Sequence, residues 1–154
     1  MFDRREQILL RLKERLAATI PEVDGRVYRN RRGIPPPEKL PAIVVLDGSE
    51  RKRAPTTRHK SLSYAIYTLT PQIFILLRLS ETIENTGKGE ELSAMRAKVI
   101  ASLTSDETLL GLLGENGEIE YTGHDTDMAT GSAMQGEMFL RFTFAYLLSY
   151  GELA

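Results

Sequence analysis

The strongest constraint in the chain is the segment Glu137 to Leu148, where Met138, Leu140, Phe142, Phe144, Tyr146 and Leu148 alternate with Glu137, Arg141 and Thr143. Side chains on a strand point to opposite faces with a period of two. The six apolar residues therefore share one face, and a one-residue slip would move all of them into water. One long strand with a dry side and a wet side is the element around which the rest must be arranged. Ile119 to Thr122 reads as its partner in a hairpin, joined to it by a polar loop from Gly123 to Gly136.

What packs on the dry side is also visible. Ile8, Leu9, Leu12, Leu16 and Ile20 recur at helical spacing after an Asp3 and Glu6 start signal, opposite Arg4, Arg11 and Arg15, and Pro21 ends the run. This reads as a one-sided surface helix. A second helix is expected over Glu90 to Leu103, with Leu92, Met95, Val99 and Leu103 as its buried stripe. Ser105-Asp106 can cap a further short helical stretch through Leu113.

Between the helices lie the remaining strands. Val27 to Asn30 is a short strand candidate, followed by the proline-rich connection Arg31 to Pro41. Ala42 to Leu46 is apolar on both faces and stops at Asp47-Gly48. Leu62 to Leu69 alternates, and Pro71 separates it from Ile73 to Leu77, leaving two strands or one strand broken at an edge. The expected fold is a single α+β domain over residues 1 to 154, a mostly antiparallel sheet with two helices on one face. Its order is helix, three strands with a fourth possible, helix, two strands.

With 154 residues, 42% of them hydrophobic and 27% charged, the chain can bury a core of its own. The net charge is -1, so no global field draws it to nucleic acid or a membrane. Residues 1 to 20 carry charges too densely for a signal peptide or a membrane span. The absence of cysteine excludes disulfides, thiolate metal sites and a cysteine nucleophile.

No set of residues adds up to a catalytic site, and an enzyme is not expected. His59 and His124 have no nucleophile motif beside them. His124, Asp125 and Asp127 resemble oxygen-rich cation loops, but the glycine and the terminal glutamate of a calcium loop are missing, so a polar turn is the better reading. Gly87-Lys88-Gly89 lacks the first glycine of a phosphate loop, since Thr82 stands there, and Glu90 replaces the magnesium-binding hydroxyl. No cofactor and no metal are expected.

The interaction candidates are charged. Arg51, Lys52, Arg53, Arg58 and Lys60 lie within ten residues on an expected loop from Gly48 to Lys60. An acidic protein surface could order such a loop. Specific nucleic-acid binding is disfavoured, because no aromatic residue is interleaved for base stacking. Arg26, Arg29, Arg31 and Arg32 form a second basic cluster around the first strand. Together the clusters suggest one positive edge with the acids elsewhere, which suits head-to-tail packing of copies. The loops Gly48 to Lys60 and Gly123 to Gly136, the latter with His124, Asp125 and Asp127, are the expected points of contact with neighbours.

Several segments together carry a family likeness: the amphipathic opening helix, Arg26-Val27-Tyr28-Arg29-Asn30, Leu40 to Gly48 with its proline before a buried strand, and Thr70 to Leu77. The helix Glu91 to Leu103, Tyr121 to Asp127 and Glu137 to Phe144 complete it. In this layout, over nearly its whole length, the chain resembles the tail terminator family of long-tailed bacteriophages, with tail-completion and head-tail joining proteins as close neighbours. The resemblance implies a structural virion protein that is assembled in the host cytoplasm and located at the tail end or neck. It would form a six-membered ring on the finished tail tube, stop its growth and present the surface to which the head is joined. The implied partners are copies of itself, the tail tube protein and a head-completion or connector protein. A connector of similar fold is the nearest rival, and a nucleic-acid-binding module using residues 51 to 60 is the rival from another class.

Overall fold

A computed structural model describes residues 3 to 53, 64 to 79, 86 to 115, 117 to 128 and 135 to 153. Helix α1 (Arg4–Thr19) is capped by Asp3, whose side chain accepts a hydrogen bond from the Glu6 N–H, and ends where Pro21 opens a short 3-10 turn. Strands β1 (Val27–Arg29), β2 (Ala42–Lys52) and β3 (Tyr64–Arg78) follow, then helices α2 (Thr86–Thr104) and α3 (Glu107–Leu113), and finally strands β4 (Glu118–Met128) and β5 (Gln135–Ser149). The strands form one sheet in the order β1-β2-β3-β5-β4. Only β1 and β2 run parallel. Their connection crosses through residues 30 to 41, close to the dozen that a parallel crossover requires.

The apolar face of β5 is buried along its length: Leu140, Phe142, Phe144 and Tyr146 are almost fully buried, and Met138 and Leu148 nearly so, while on the other face the small Ala145 is buried as well. These side chains pack with Ile43 and Val45 of β2, with Leu69, Ile73, Ile75 and Leu77 of β3, and with the stripes of the helices. The stripes are Ile8, Leu9, Leu12 and Leu16 in α1, Leu92, Met95, Val99 and Leu103 in α2, and Leu109 and Leu113 in α3. One helical layer thus covers one face of the sheet, and the mostly antiparallel α+β architecture stands.

Four details differ from expectation. Among the described residues there are three α-helices on the sheet rather than two, the short stretch expected after Asp106 being the third. Helix α2 begins at Thr86 and not at Glu90, so Gly87-Lys88-Gly89 belongs to its first turn. Residues 64 to 78 form one strand, and β3 lies at the centre of the sheet instead of an edge. Pro71, which has no N–H to give, is accommodated because the pairing is interrupted beside it on both sides. The β2 register jumps between Leu46 and Ser49, and the β5 register skips from Leu69↔Phe144 to Gln72↔Arg141.

The fourth difference is that Asp47-Gly48 does not end β2. It forms the bulge opposite Pro71, and the strand continues to Lys52. In the same way β4 runs on through a register shift between Tyr121 and Gly123 as far as Met128. Polar composition had suggested loops in both places.

The arginine face of α1 is not a solvent face either. Arg4 donates to the Leu112 carbonyl at 2.9 Å, Arg15 to the Ser102 carbonyl at 3.2 Å, and Arg11 forms a two-bond fork with the Asp106 carboxylate at 2.7 and 2.9 Å. These arginines fasten α1 to α2 and α3.

Candidate assembly surface

The basic run is built on a strand end. Arg51 and Lys52 are the last residues of β2 and both are exposed. Neither makes an ion pair among the described residues. Arg53 follows with its N–H donated to the Ile66 carbonyl at 2.8 Å, and its guanidinium stands 3.8 Å from Glu118. The bulge sets Ser49 and Arg51 opposite Thr70 and Thr68, on the face away from the helices, and turns Glu50 toward the helical layer opposite Leu69. There Glu50 accepts a hydrogen bond from the buried Tyr146 hydroxyl, and burial pushes its carboxyl above the ordinary value. Arg58, Lys60 and His59 lie outside the described residues.

The second basic cluster divides. Arg29 is held inside the chain by two carboxylates. It bonds Glu6 at 2.6 and 2.8 Å and Asp47 at 2.7 and 2.9 Å, with Arg5 a further 3.4 Å from Asp47. The charged hydrogen bonds from Arg29 hold the carboxyls of Glu6 and Asp47 below their ordinary values of 4.5 and 3.8. Groups shifted this way stabilise the fold above the unfolded value and lose that contribution as pH falls through the folded one. Arg29→Ala is therefore expected to show its largest stability deficit at neutral pH, shrinking as pH drops below about 4. Urea unfolding of both proteins across a pH series measures this, and a deficit independent of pH would contradict it. Arg31 and Arg32 are exposed, and the Arg31 guanidinium sits 4.8 Å over the Tyr28 ring.

On β4 the polar cluster does not converge. His124 lies opposite Leu140, on the helical side of the sheet, and Asp125 lies opposite Phe139, on the other side. Successive strand residues face apart, so the cage that the sequence resembles cannot close through these two. His124 Nδ1 shares a 2.8 Å hydrogen bond with the Tyr121 hydroxyl, which also accepts from Arg96 Nε at 2.9 Å. Asp125 pairs with Arg141, which holds its carboxyl below the ordinary value. The backbone of Asp127 pairs in register with Glu137. The described residues contain no group of three or more potential metal ligands of the His, Cys, Asp and Glu type.

The face away from the helices is the part the sequence did not announce. Val44 and Leu46 of β2, Ile66, Phe74 and Leu76 of β3, and Phe139 and Leu147 of β5 belong to it by alternation, and none of them joins the core cluster. Phe74 and Phe139 stack across the two central strands with ring centroids 4.9 Å apart. The buried stripes of α1, α2 and α3 all pack on the opposite face, and Val44 and Leu76 are themselves buried. A shallow depression beside the stack is lined by Ser49, Thr70, Gln72, Thr122 and Arg141.

No protein-family model matches the chain, and no curated protein matches it either. Among the described residues no helix is long and apolar enough to cross a membrane.

Proposed function

We propose that this chain is a structural subunit that acts by assembling with copies of itself, as a tail terminator whose ring caps a finished tail tube and receives the head. The observation that carries the reading is the sheet's second face. It presents the stacked Phe74 and Phe139 with Leu46, Ile66 and Leu147 around them, all half-buried, while the helices are gathered on the opposite side. An apolar band on an otherwise charged surface marks a place where another protein sits. A rigid five-stranded sheet also suits a part that must hold its shape under load. Head-tail joining is the neighbouring role within the same class.

Removing the protein from assembling particles tests the reading. Tubes of uncontrolled length without heads are the expected result, whereas complete and infectious particles would end the proposal. Tubes of normal length that fail to receive heads would transfer the role to joining. DNA binding that falls steeply with salt would favour a nucleic-acid module instead.

A further inference from the structure

The two edges of the sheet carry opposite charge at matching heights. Across four strands the pairing runs in one row from Glu118 through Ala145 and Thr68 to Arg51. A second row crosses all five strands, from Asp125 through Phe139, Phe74 and Val44 to Tyr28, over which Arg31 is placed. In both rows the acid stands on β4 and the cation at the β1-β2 side. Glu120 on β4, like Arg51 and Lys52 on β2, has no ion-pair partner among the described residues. Among the described residues Arg53 and Glu118 form the pair that joins the β2 and β4 edges; it is exposed at both ends and contributes little.

Both edges also have backbone to offer. Strand β1 pairs only with Ile43 to Val45, and Asn30 extends that contact to Asp47. Beyond the bulge the outer side of β2 bears no strand among the described residues. The Arg53 N–H points inward to Ile66, so by alternation the backbone groups of Lys52 and Glu50 turn outward. At the other edge β4 is paired with β5 alone.

We propose that copies of this chain join edge to edge, with β4 of one copy lying antiparallel beside the outer half of β2 in the next, so that Glu118, with Glu120 diagonal to it, meets Arg51 on the face away from the helices. The proposal rests on the assembly reading above and names its contact. Strand directions allow it, because β2 and β4 run oppositely within the sheet, and two copies in the same orientation therefore bring them together antiparallel. Charges on edge strands ordinarily prevent sheets from pairing. Here β4 repels another β4 and the β2 end repels another β2 end, so only unlike edges attract. That selects a head-to-tail contact, the kind that closes into a ring or runs on as a filament, over a two-fold dimer.

Two experiments on the full chain test this. Arg51 and Glu118 are three strand spacings apart within one copy, about 14 Å, whereas a disulfide needs α-carbons within about 7 Å. The chain has no cysteine of its own. Under oxidation, Arg51→Cys with Glu118→Cys is expected to give a ladder of covalent multimers, and either single variant no species beyond a dimer.

In the second experiment, Arg51→Glu and, separately, Glu118→Lys with Glu120→Lys are each expected to lose self-association by sedimentation while retaining the circular dichroism of the parent. Mixing the two variants restores it, since each then offers the edge the other lacks. If the parent chain associates but the ladder is absent and both reversals associate unchanged, the edge contact is wrong and the assembly reading survives. If the parent remains monomeric at every concentration and on tube ends, both fall together.

Discussion

Asp106→Ala is expected to lower the free energy of unfolding by about 3 kcal/mol, the low end for removing one partner of a buried ion pair. The residue is 3% exposed and serves two elements at once. One oxygen accepts from Arg11 Nη2 at 2.9 Å and from the Thr108 N–H at 3.3 Å, and the other accepts from Arg11 Nε at 2.7 Å. It is both the N-cap of α3 and the anchor of α1. Alanine removes the cap, worth about 1 kcal/mol, and leaves a guanidinium that is only 27% exposed with the exposed Glu14 carboxylate, 4.0 Å away, as its remaining counter-charge. Asn keeps a capping oxygen and loses the charge, so Asp106→Asn is expected to fall between the parent and alanine. Arg11 holds the Asp106 carboxyl below its ordinary value of 3.8, so the cost of either change is present above that pH and fades below it. Denaturant unfolding at neutral and acid pH measures both effects. Equal stability of Asp106→Ala and the parent at neutral pH would refute the double role.

Gly48→Ala is expected to cost a similar amount by a different route. Gly48 has φ +70, in the left-handed region, and a Cβ there would lie 1.9 Å from the Thr70 carbonyl oxygen and 2.8 Å from its carbon. Those are backbone atoms of the central strand and cannot swing aside. Left-handed strain adds about 1 to 2 kcal/mol and overpacking a further 1 to 3 kcal/mol. A total near 3 kcal/mol would lower the melting temperature by roughly 10 °C in a domain of this size. Gly25→Ala is the control, because Gly25 also has positive φ but nothing stands within 4 Å of its missing Cβ. A Gly48 variant no worse than the Gly25 variant would show that the bulge relaxes freely.

The same bulge explains where the sequence could be read and where it misled. Strand β5 was legible to within two residues at either end because one face is dry along its whole length and the other is not. Helix α1 was legible for the same reason, although local periodicity alone assigns its arginines to solvent. Their partners, Asp106 and the carbonyls of Ser102 and Leu112, lie about a hundred residues away, where local periodicity carries no information. Asp47-Gly48 has the composition of a turn and also of a bulge, and only the interruption opposite, at Pro71, distinguishes them. Residues 123 to 127 are polar, as an edge strand paired on one side allows, so apolar alternation fades there while pairing continues to Met128.

The candidate surface followed the same division. Arg51, Lys52 and Arg53 could be found by charge alone. Their acidic counterparts Glu118 and Glu120 could not, because nothing local says that residues nearly seventy positions apart stand at the same height on opposite edges. The stacked Phe74 and Phe139 were hidden by their apolar neighbours, which suggested burial on both sides.

The arginine fork on α1 also bears on how the protein is made. Helix α1 finds its polar anchors only when residues 102 to 112 have been synthesised, and until then the cover over Ile8, Leu9, Leu12 and Leu16 is incomplete. Contacts so distant in sequence slow the search for the native state. The nascent amino-terminal half is thus a client for whatever shields sticky helices during translation, and a chain cut short before Asp106 would retain its appetite for other proteins without the means to fold.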